Sequence, residues 1–321
     1  MKKHISSLLF LTAAMLWGFA FVAQKASDTL PPFVIGATRN IIATVFLLIV
    51  IPALDRFTKN GRQFFKKIDF SKSELIGGVI CGAVLTAASA FQQLGMNVGT
   101  DAGKSGFITA LYVLFVPIIA LALRKKSSLS VWLSVIIAVV GFYFLCIEEN
   151  FTIALSDAYV LICAVIFALH IIVIDHFSPG CDGVRMSAVQ FFSAFIFNLV
   201  LALVFNGPDA FLGVSASILP LLYLGICSSG VAYTLQIVGQ RNANPAVASV
   251  ILSLESAFAV LGGAIFLGEK MSLREYIGCA IVFAAVILSQ IDFSALKAAK
   301  RARYDNNNLH NYDHIEKEEE I

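Results

Sequence analysis

The tripeptide Gly103-Lys104-Ser105 is the first place in this sequence where residue type and spacing could support chemistry. Gly-Lys-Ser ends the phosphate-binding loop G-x-x-x-x-G-K-[ST], in which backbone N–H groups surround the phosphates of a nucleotide. That pattern needs a glycine at position 98, but this chain has Val98 there, and Gly99 is one residue too close. The loop also follows a buried strand, whereas this tripeptide opens a long apolar run. Spacing and context therefore indicate that the match is accidental.

Three ionisable residues, Arg39, His170 and Glu255, lie inside long apolar segments of the chain. Such groups are expensive in apolar surroundings unless they face a partner or a polar cavity. Arg39 can attract an anionic group or bond to the helix ends of its own fold, and the sequence leaves both roles open. His170 is more typical of a packed, hydrogen-bonded histidine than of a proton carrier.

Two apolar segments carry polar side chains at intervals of three or four residues, which places each set on one helical face. The two polar stripes consist of Thr86, Ser89, Gln93 and Asn97, and of Ser229, Tyr233, Gln236 and Gln240. Such groups can line a polar route, or they can hold helices together through hydrogen bonds. Because the stripe occurs twice, the sequence favours the polar route.

The composition shows what kind of elements must position these residues. Of the 321 residues, 58% are hydrophobic and only 14% are charged, whereas soluble domains carry about 25% charged residues. The chain is therefore predicted to be an all-α integral membrane protein, since a helix of about 20 apolar residues crosses a bilayer. Ten such runs are present, at residues 6–25, 32–54, 74–97, 102–123, 129–147, 156–175, 184–205, 217–239, 245–268 and 273–292.

The distribution of basic residues predicts the orientation. With ten spans, 18 of the 23 Lys and Arg residues fall on one side, and cytoplasmic loops carry such an excess. The remaining five are Lys25, Arg39, Lys104, Lys270 and Arg274. The protein is therefore expected in the cytoplasmic membrane with both termini, the 55–73 loop and Cys181 on the cytoplasmic side. Lys104 is expected to extend to the outer interface.

The two halves of the sequence match each other at an offset of 143 residues, with a slightly different offset for the first span. Matched positions are Trp17 with Phe167, Thr86 with Ser229, Gln93 with Gln236, Leu111 with Leu254, and Tyr112 with Glu255. Each half holds five predicted spans, and this odd number makes the halves inverted repeats. We expect repeats at 1–148 and 149–293, followed by a disordered cytoplasmic tail at 294–321.

Several of these segments resemble the drug/metabolite transporter superfamily of EamA type. Trp17-Gly18 resembles the family's WG-type start, Arg39 in "ATRN" its second-span arginine, and "GFITALYVLFVPII" its fourth span. "ILSLESAFAVLGGAIFLGE" resembles its ninth span, with Ser256 where proline is frequent. The resemblance covers about residues 5–292. It implies a ten-span transporter of a small metabolite, such as an amino acid or a drug-like compound, often working in export.

The polar stripes, the ionisable residues and the aromatic residues together define a predicted substrate pathway through a central cavity. Its residues are Trp17, Arg39, Thr86, Gln93, Tyr112, Ser229, Tyr233, Gln236 and Glu255. The expected partners are a small-molecule substrate and the lipid bilayer, and the net charge of +2 implies no nucleic acid. The six cysteines form no CxxC or Cys/His cluster, so no cofactor or metal is predicted. The oligomeric state stays open.

An integral membrane enzyme acting on a lipid or lipid-linked substrate is the alternative. It would need a nucleophile, metal ligands or paired carboxylates at the interface. The sequence shows no DDxxD-like cluster or G-x-S-x-G motif, so it predicts a protein that is not an enzyme. A channel would need a carbonyl filter or a charge ring, and the sequence shows neither.

Glu255 lies ten residues after Pro245, about 15 Å along a helix and near the middle of a core about 30 Å thick. A carboxyl group at that depth is protonated, paired or hydrated. Two roles stay open at this point. Glu255 can exchange a proton and couple transport to the proton gradient, or a donor such as Arg39 or a hydroxyl can hold it in a structural role.

Overall fold

The computed structural model of the chain describes residues 2–58, 69–125, 127–146, 154–266, 268 and 272–289. Helices dominate these ranges, and no strand occurs in them. The α-helices are α1 (Lys2–Lys25), α2 (Pro32–Thr58), α3 (Lys72–Val98), α4 (Ala102–Ala110), α5 (Tyr112–Ala122), α6 (Leu129–Cys146), α7 (Leu155–Phe177), α8 (Gly183–Phe205), α9 (Ile218–Tyr223), α10 (Thr234–Gln240), α11 (Pro245–Leu252), α12 (Glu255–Phe266) and α13 (Leu273–Ser289).

Eight helical stretches of the described chain are long and apolar enough to cross a membrane. The protein is therefore a multi-pass membrane protein. Two shorter apolar helices, Leu129–Phe144 and Tyr276–Ser289, correspond to the predicted runs 129–147 and 273–292. Residues 147–153 and 290–321, next to these two helices, lie outside the described ranges. The prediction of ten spans thus stays a prediction, and the predicted tail at 294–321 lies outside what the structure describes.

Two of the predicted spans are each made of two helices with a break between them. The run 102–123 contains α4 and α5, which meet at Leu111, and the run 245–268 contains α11 and α12. Each break contains a hydrogen bond that spans three residues instead of four. Leu111 N–H donates to Ile108 O and Leu254 N–H donates to Ile251 O, both at 3.2 Å. The two breaks fall at positions that the sequence repeat matches.

The stretch Pro208–Gln240 changes helix type along its length. It begins with a 3₁₀ segment at Pro208–Ser217 and continues through α9 into a π-helical segment at Leu224–Tyr233, before α10. Helices with i to i+5 hydrogen bonds are rare and occur often at functional sites. The sequence analysis predicted a uniform span here, because hydropathy does not distinguish helix types.

Glycines let several helices approach closely, as is usual where membrane helices pack through small residues. A Cβ atom on Gly18 would stand 2.2 Å from the Cβ of Phe258, so α1 and α12 pack backbone to backbone. On α3, Gly82 faces the backbone of α8 and Gly95 faces the backbone of α7. These contacts assemble helices from both halves of the sequence around one centre.

Candidate functional site

A polar cavity lies at the centre of the helices. Its volume is about 30 Å³, which is room for about two water molecules. The breaks in both discontinuous spans open onto it, because Tyr112 begins α5 and Glu255 begins α12. Six of the nine residues predicted for the substrate pathway line this cavity, namely Trp17, Arg39, Tyr112, Tyr233, Gln236 and Glu255.

Arg39 on α2 carries a positive charge into this cavity and is only 7% exposed. Its Nε donates to the Ser229 hydroxyl and its Nη2 to the Ser228 hydroxyl, both at 3.0 Å. In the described part of the chain, no carboxylate lies within ion-pair distance of Arg39. The expectation that Arg39 could be the donor that holds Glu255 is therefore wrong.

The π-helical segment supplies the groups that fix Arg39 and the aromatic wall beside it. Ser228 accepts a hydrogen bond from Trp17 Nε1 through its carbonyl oxygen at 3.1 Å, in addition to its hydroxyl contact with Arg39. Gly225 in the same segment lets α2 approach, since a Cβ there would meet Ile42 at 2.5 Å. The guanidinium group is thus held by two hydroxyl groups of the π-helical segment and lines the cavity.

Tyr233, the last residue of the π-helical segment, is the centre of an aromatic cluster. The centre of its ring lies 4.5 Å from the ring centre of Trp17, and 5.8 Å from the ring centres of both His170 and Phe191. His170 Nε2 lies 3.2 Å from Gln190 Oε1, which agrees with the packed histidine that the sequence favoured. The cluster gives the cavity one apolar wall that can stack on a flat or cationic group.

Glu255 supplies the carboxyl group of the cavity. It is 5% exposed, and its Oε1 atom has no hydrogen-bond partner. Its position as the first residue of α12 is favourable for a carboxylate, because the N-terminus of a helix carries partial positive charge. The Tyr112 hydroxyl approaches this carboxyl group without reaching full hydrogen-bond geometry. Of the donors considered from the sequence, a hydroxyl is therefore the one nearby.

Four buried polar atoms at the cavity lack hydrogen-bond partners among the described residues. They are Tyr112 OH, His170 Nδ1, Gln236 Oε1 and Glu255 Oε1. A buried polar group without a partner costs about 1–3 kcal/mol. Such a set converging on one space suits a polar ligand that offers hydrogen-bond donors to Glu255 and Gln236.

The other three predicted residues lie outside the lining of the cavity. Thr86 accepts a hydrogen bond from Asn198 Nδ2 at 3.2 Å and bonds back to its own helix. Gln93 donates to Asn97 Oδ1 at 2.8 Å. The Ser229 hydroxyl accepts a hydrogen bond from Arg39 Nε. For Thr86 and Gln93 the contacts are those of helix-to-helix or intrahelical hydrogen bonding, the alternative to a polar route.

Sequence reasoning missed several polar residues that do line the cavity, namely Gln24, Gln92, Thr109 and Ser228. Gln92 Nε2 donates to Thr109 Oγ1 at 3.0 Å and so joins α3 to α4. Gln92 and Ser228 are each adjacent to a residue that was chosen. Successive residues on a helix point about 100° apart. A prediction of the cavity-facing side that is wrong by one residue therefore selects the neighbour of the residue that faces the cavity.

Lys104, near the start of α4, pairs with a carboxylate of the second half of the chain. Its Nζ lies 2.7 Å from Asp157 Oδ2 on α7. The expected extension of Lys104 to the outer interface stays a prediction, and its partner lies 53 residues further along the chain. Among the described residues, no group of three or more His, Cys, Asp or Glu side chains could hold a metal ion.

Helices of spanning length around a central polar cavity define a class of protein, the multi-pass α-helical membrane protein with an internal polar cavity. The sequence matches the family model described as "EamA-like transporter family" over residues 4–147 and again over 154–290. The chain belongs to this family, and the resemblance to the drug/metabolite transporter superfamily is confirmed.

Relatives and a solved structure agree with this assignment. An "Uncharacterized transporter" of Archaeoglobus fulgidus is 31% identical over 292 residues, covering 89% of this chain and 86% of the relative. "Uncharacterized transporter YwfM" of Bacillus subtilis is 25% identical over 301 residues, covering 90% and 94%. One crystal structure superposes with a TM-score of 0.70 at 16% identity, covering 89% of this chain and 96% of the other. At that identity the superposition shows the fold alone.

Proposed function

We propose that this membrane transporter is a carrier that exports a small metabolite, an amino acid or a drug-like compound, by alternating access. The observation that carries the proposal is the central cavity, where Arg39, Glu255 and four unpartnered polar atoms converge. A site enclosed in the middle of the membrane is typical of secondary carriers. Its volume of about 30 Å³ is too small for a metabolite, so the helices must move for substrate to enter.

The architecture we propose is ten transmembrane helices arranged as two inverted repeats of five, at 1–148 and 149–293. Two observations support it. The breaks at Leu111 and Leu254 lie 143 residues apart, at the same offset as the sequence repeat. The family model also matches the chain twice, over 4–147 and 154–290. Discontinuous helices at matching positions of two halves are the usual place for a substrate site in such carriers.

Arg39 and Glu255 are assigned complementary roles toward the substrate. No described carboxylate compensates the charge of Arg39, so it attracts an anionic group. We favour this role over the alternative, in which Arg39 bonds to the helix ends of its own fold. Glu255 Oε1 and Gln236 Oε1 are free to accept hydrogen bonds from donors on the substrate. Tyr233 and Trp17 stack against the body of the molecule. We propose that Thr86 and Gln93 contribute to the pathway only indirectly, through helix packing.

We propose a cytoplasmic-membrane location with both termini on the inner side. The asymmetry of 18 basic residues against five supports this orientation. Glu255 then lies in the second half, and each span of this half runs in the opposite direction to its counterpart in the first half. Proton coupling and a purely structural role for Glu255 both remain compatible with its unpartnered Oε1 atom, and the substitution described in the Discussion separates them.

Transport by purified protein in sealed liposomes tests the proposal. A panel of labelled amino acids and cationic and neutral drug-like compounds is screened for saturable counterflow, which a channel does not show. Arg39→Gln is the matched inactive variant, and it is expected to lower counterflow by at least about tenfold because a buried, charge-assisted contact is lost.

A membrane enzyme would give a different result. It would release product from a lipid or lipid-linked substrate in detergent solution, where no compartments exist. Product formation of that kind, without counterflow of any compound in the panel, would refute the carrier proposal.

A further inference from the structure

Asp157 at the start of α7 is the centre of a compact polar cluster away from the cavity. Its side chain is only 4% exposed. It accepts hydrogen bonds from Lys104 Nζ at 2.7 Å, from Thr100 Oγ1 at 3.2 Å and from Ala154 N–H at 2.9 Å. Lys104 and Thr100 belong to the first half of the sequence, and Asp157 to the second. The cluster therefore fastens the two halves together.

A small apolar cluster near the polar cluster borders the cavity. Phe21 lines the cavity and packs with Met96, Ala102 and Ala259. Ala102 is the first residue of α4, two positions before Lys104. Thr109, later on α4, lines the cavity, so the ion pair lies towards the end of α4 that is away from the break at Leu111. In the proposed orientation this is the outer end.

We infer that the Lys104–Asp157 ion pair is the outer gate of the carrier, which must break for the cavity to open to the outside. This inference rests on the proposed function and on its orientation. A pair joining the two halves at one end is distorted by any motion that separates the halves there. Breaking a pair with one buried partner is costly, so its presence holds the outer side closed.

The opposite end of the molecule carries a separate polar network. Arg185 on α8 pairs with Asp55 on α2 and with Asp182. Glu74 on α3 accepts from the backbone N–H of Asp182 at 2.9 Å. These contacts also join the two halves, but at the inner end. Loss of a contact there should favour opening to the inside and should leave the outer end closed.

Labelling of a cysteine in the cavity tests the inference without any knowledge of the substrate. The reporter is the full-length chain with its six native cysteines replaced by alanine and with Ala20→Cys, since Ala20 lines the cavity and is 2% exposed. A membrane-impermeant maleimide is added to the outside of intact cells. Asp157→Asn keeps the size and one acceptor oxygen but removes the charge. It is expected to raise the labelling rate at least about tenfold.

Two matched variants distinguish a gate from general loosening. Asp28→Asn removes the Lys25–Asp28 pair, which lies within one short segment at the same end and joins no halves. It should leave labelling unchanged. Asp55→Asn weakens the inner network and should leave outside labelling unchanged or lower it. An equal rise in all three variants would show loosening of the fold and would overturn the inference.

Lys104→Met provides a second variant in case Asp157→Asn folds poorly. It should raise labelling as Asp157→Asn does, and the double variant should be no faster than either single variant, because both remove the same contact. Wild-type labelling in both single variants would overturn the gate. Counterflow by the wild-type protein is measured in parallel. If counterflow is present and labelling is unaltered, the gate alone fails. If counterflow is absent while labelling still rises, the carrier proposal fails, and the pair is shown only to limit access to the cavity from outside.

Discussion

The contact between Gly18 on α1 and the backbone of α12 gives a prediction whose size follows from the structure. In Gly18→Ala the new Cβ would stand 2.2 Å from Phe258 Cβ, 2.7 Å from Phe258 C and 2.8 Å from Glu255 O. Carbon atoms pack at about 3.5–4.0 Å. The two helices must therefore separate by roughly 1.5 Å, because two of the three atoms belong to the backbone and no side-chain rotation relieves them.

This separation should affect both stability and transport. Overpacking costs about 1–3 kcal/mol, and the backbone contacts place this variant at the upper end. A cost of about 3 kcal/mol shifts the folded-to-unfolded ratio by roughly 100-fold, since 1.4 kcal/mol is tenfold. Glu255 begins α12, so the same shift moves its carboxyl group in the cavity. A displacement of about 1 Å in a binding site can lower a rate about 100-fold. We expect a lower Tm in detergent and counterflow reduced at least about tenfold.

Gly103→Ala is the matched control. Gly103 also lies in a helix that faces α12, but a Cβ there would have only Val260 Cγ2 within reach, at 4.0 Å. This is ordinary contact, and alanine favours a helix over glycine by up to about 1 kcal/mol. The control should therefore keep or slightly raise Tm and keep counterflow. If Gly18→Ala melted and transported like Gly103→Ala, the close packing of α1 on α12 would be refuted.

Three further predictions concern the cavity and the orientation. Gln236→Leu should lower counterflow by about tenfold in folded protein because it removes an acceptor from the cavity, whereas Gln93→Leu should lower Tm and spare the counterflow of folded molecules; equal transport defects would contradict the assigned roles. If Glu255 carries the coupled proton, Glu255→Gln should abolish accumulation driven by the proton gradient and spare exchange. Accumulation at the wild-type rate would show that Glu255 does not couple transport to protons and would favour its structural role. A cysteine at position Asp69 should resist an impermeant reagent added outside cells, and outside labelling would invert the proposed orientation.

The sequence was sufficient to find the charged residues of the cavity. Arg39 and Glu255 stood out because a charge in an apolar run is costly and needs a reason. Both line the cavity in the structure. The sequence repeat likewise matched Tyr112 with Glu255, and both residues begin a helix at a break. The energetic cost of a charge in an apolar segment and the similarity between the two halves can both be recognised in the sequence without knowing any distance.

Features that depend on direction or on distant partners could not be read in this way. The stripe on α3 pointed to Gln93, but the residue that lines the cavity is its neighbour Gln92. Facing direction requires the rotation of the helix about its axis, which a stripe fixes only to within one residue. The partner of Lys104 lies 53 residues away. The π-helical segment has no hydropathy signal, because its residues are as apolar as those of an α-helix.

The two halves supply matching positions but different chemistry to the cavity, and this difference bears on how substrate is held. Trp17 and its counterpart Phe167 both line the cavity, as do Tyr112 and its counterpart Glu255. In each pair one member has a polar or ionisable group that the other lacks, since Phe167 has no N–H donor and Tyr112 has no carboxyl group. A cavity with identical halves would accept a molecule equally well in two opposite orientations. Here Arg39, fixed by Ser228 and Ser229, and Glu255, with its unpartnered oxygen, present a guanidinium group and a carboxyl group without pairing. If this cavity is the substrate site that we propose, we expect a substrate with distinct ends to bind in one orientation, even though the scaffold that surrounds it is built from similar parts.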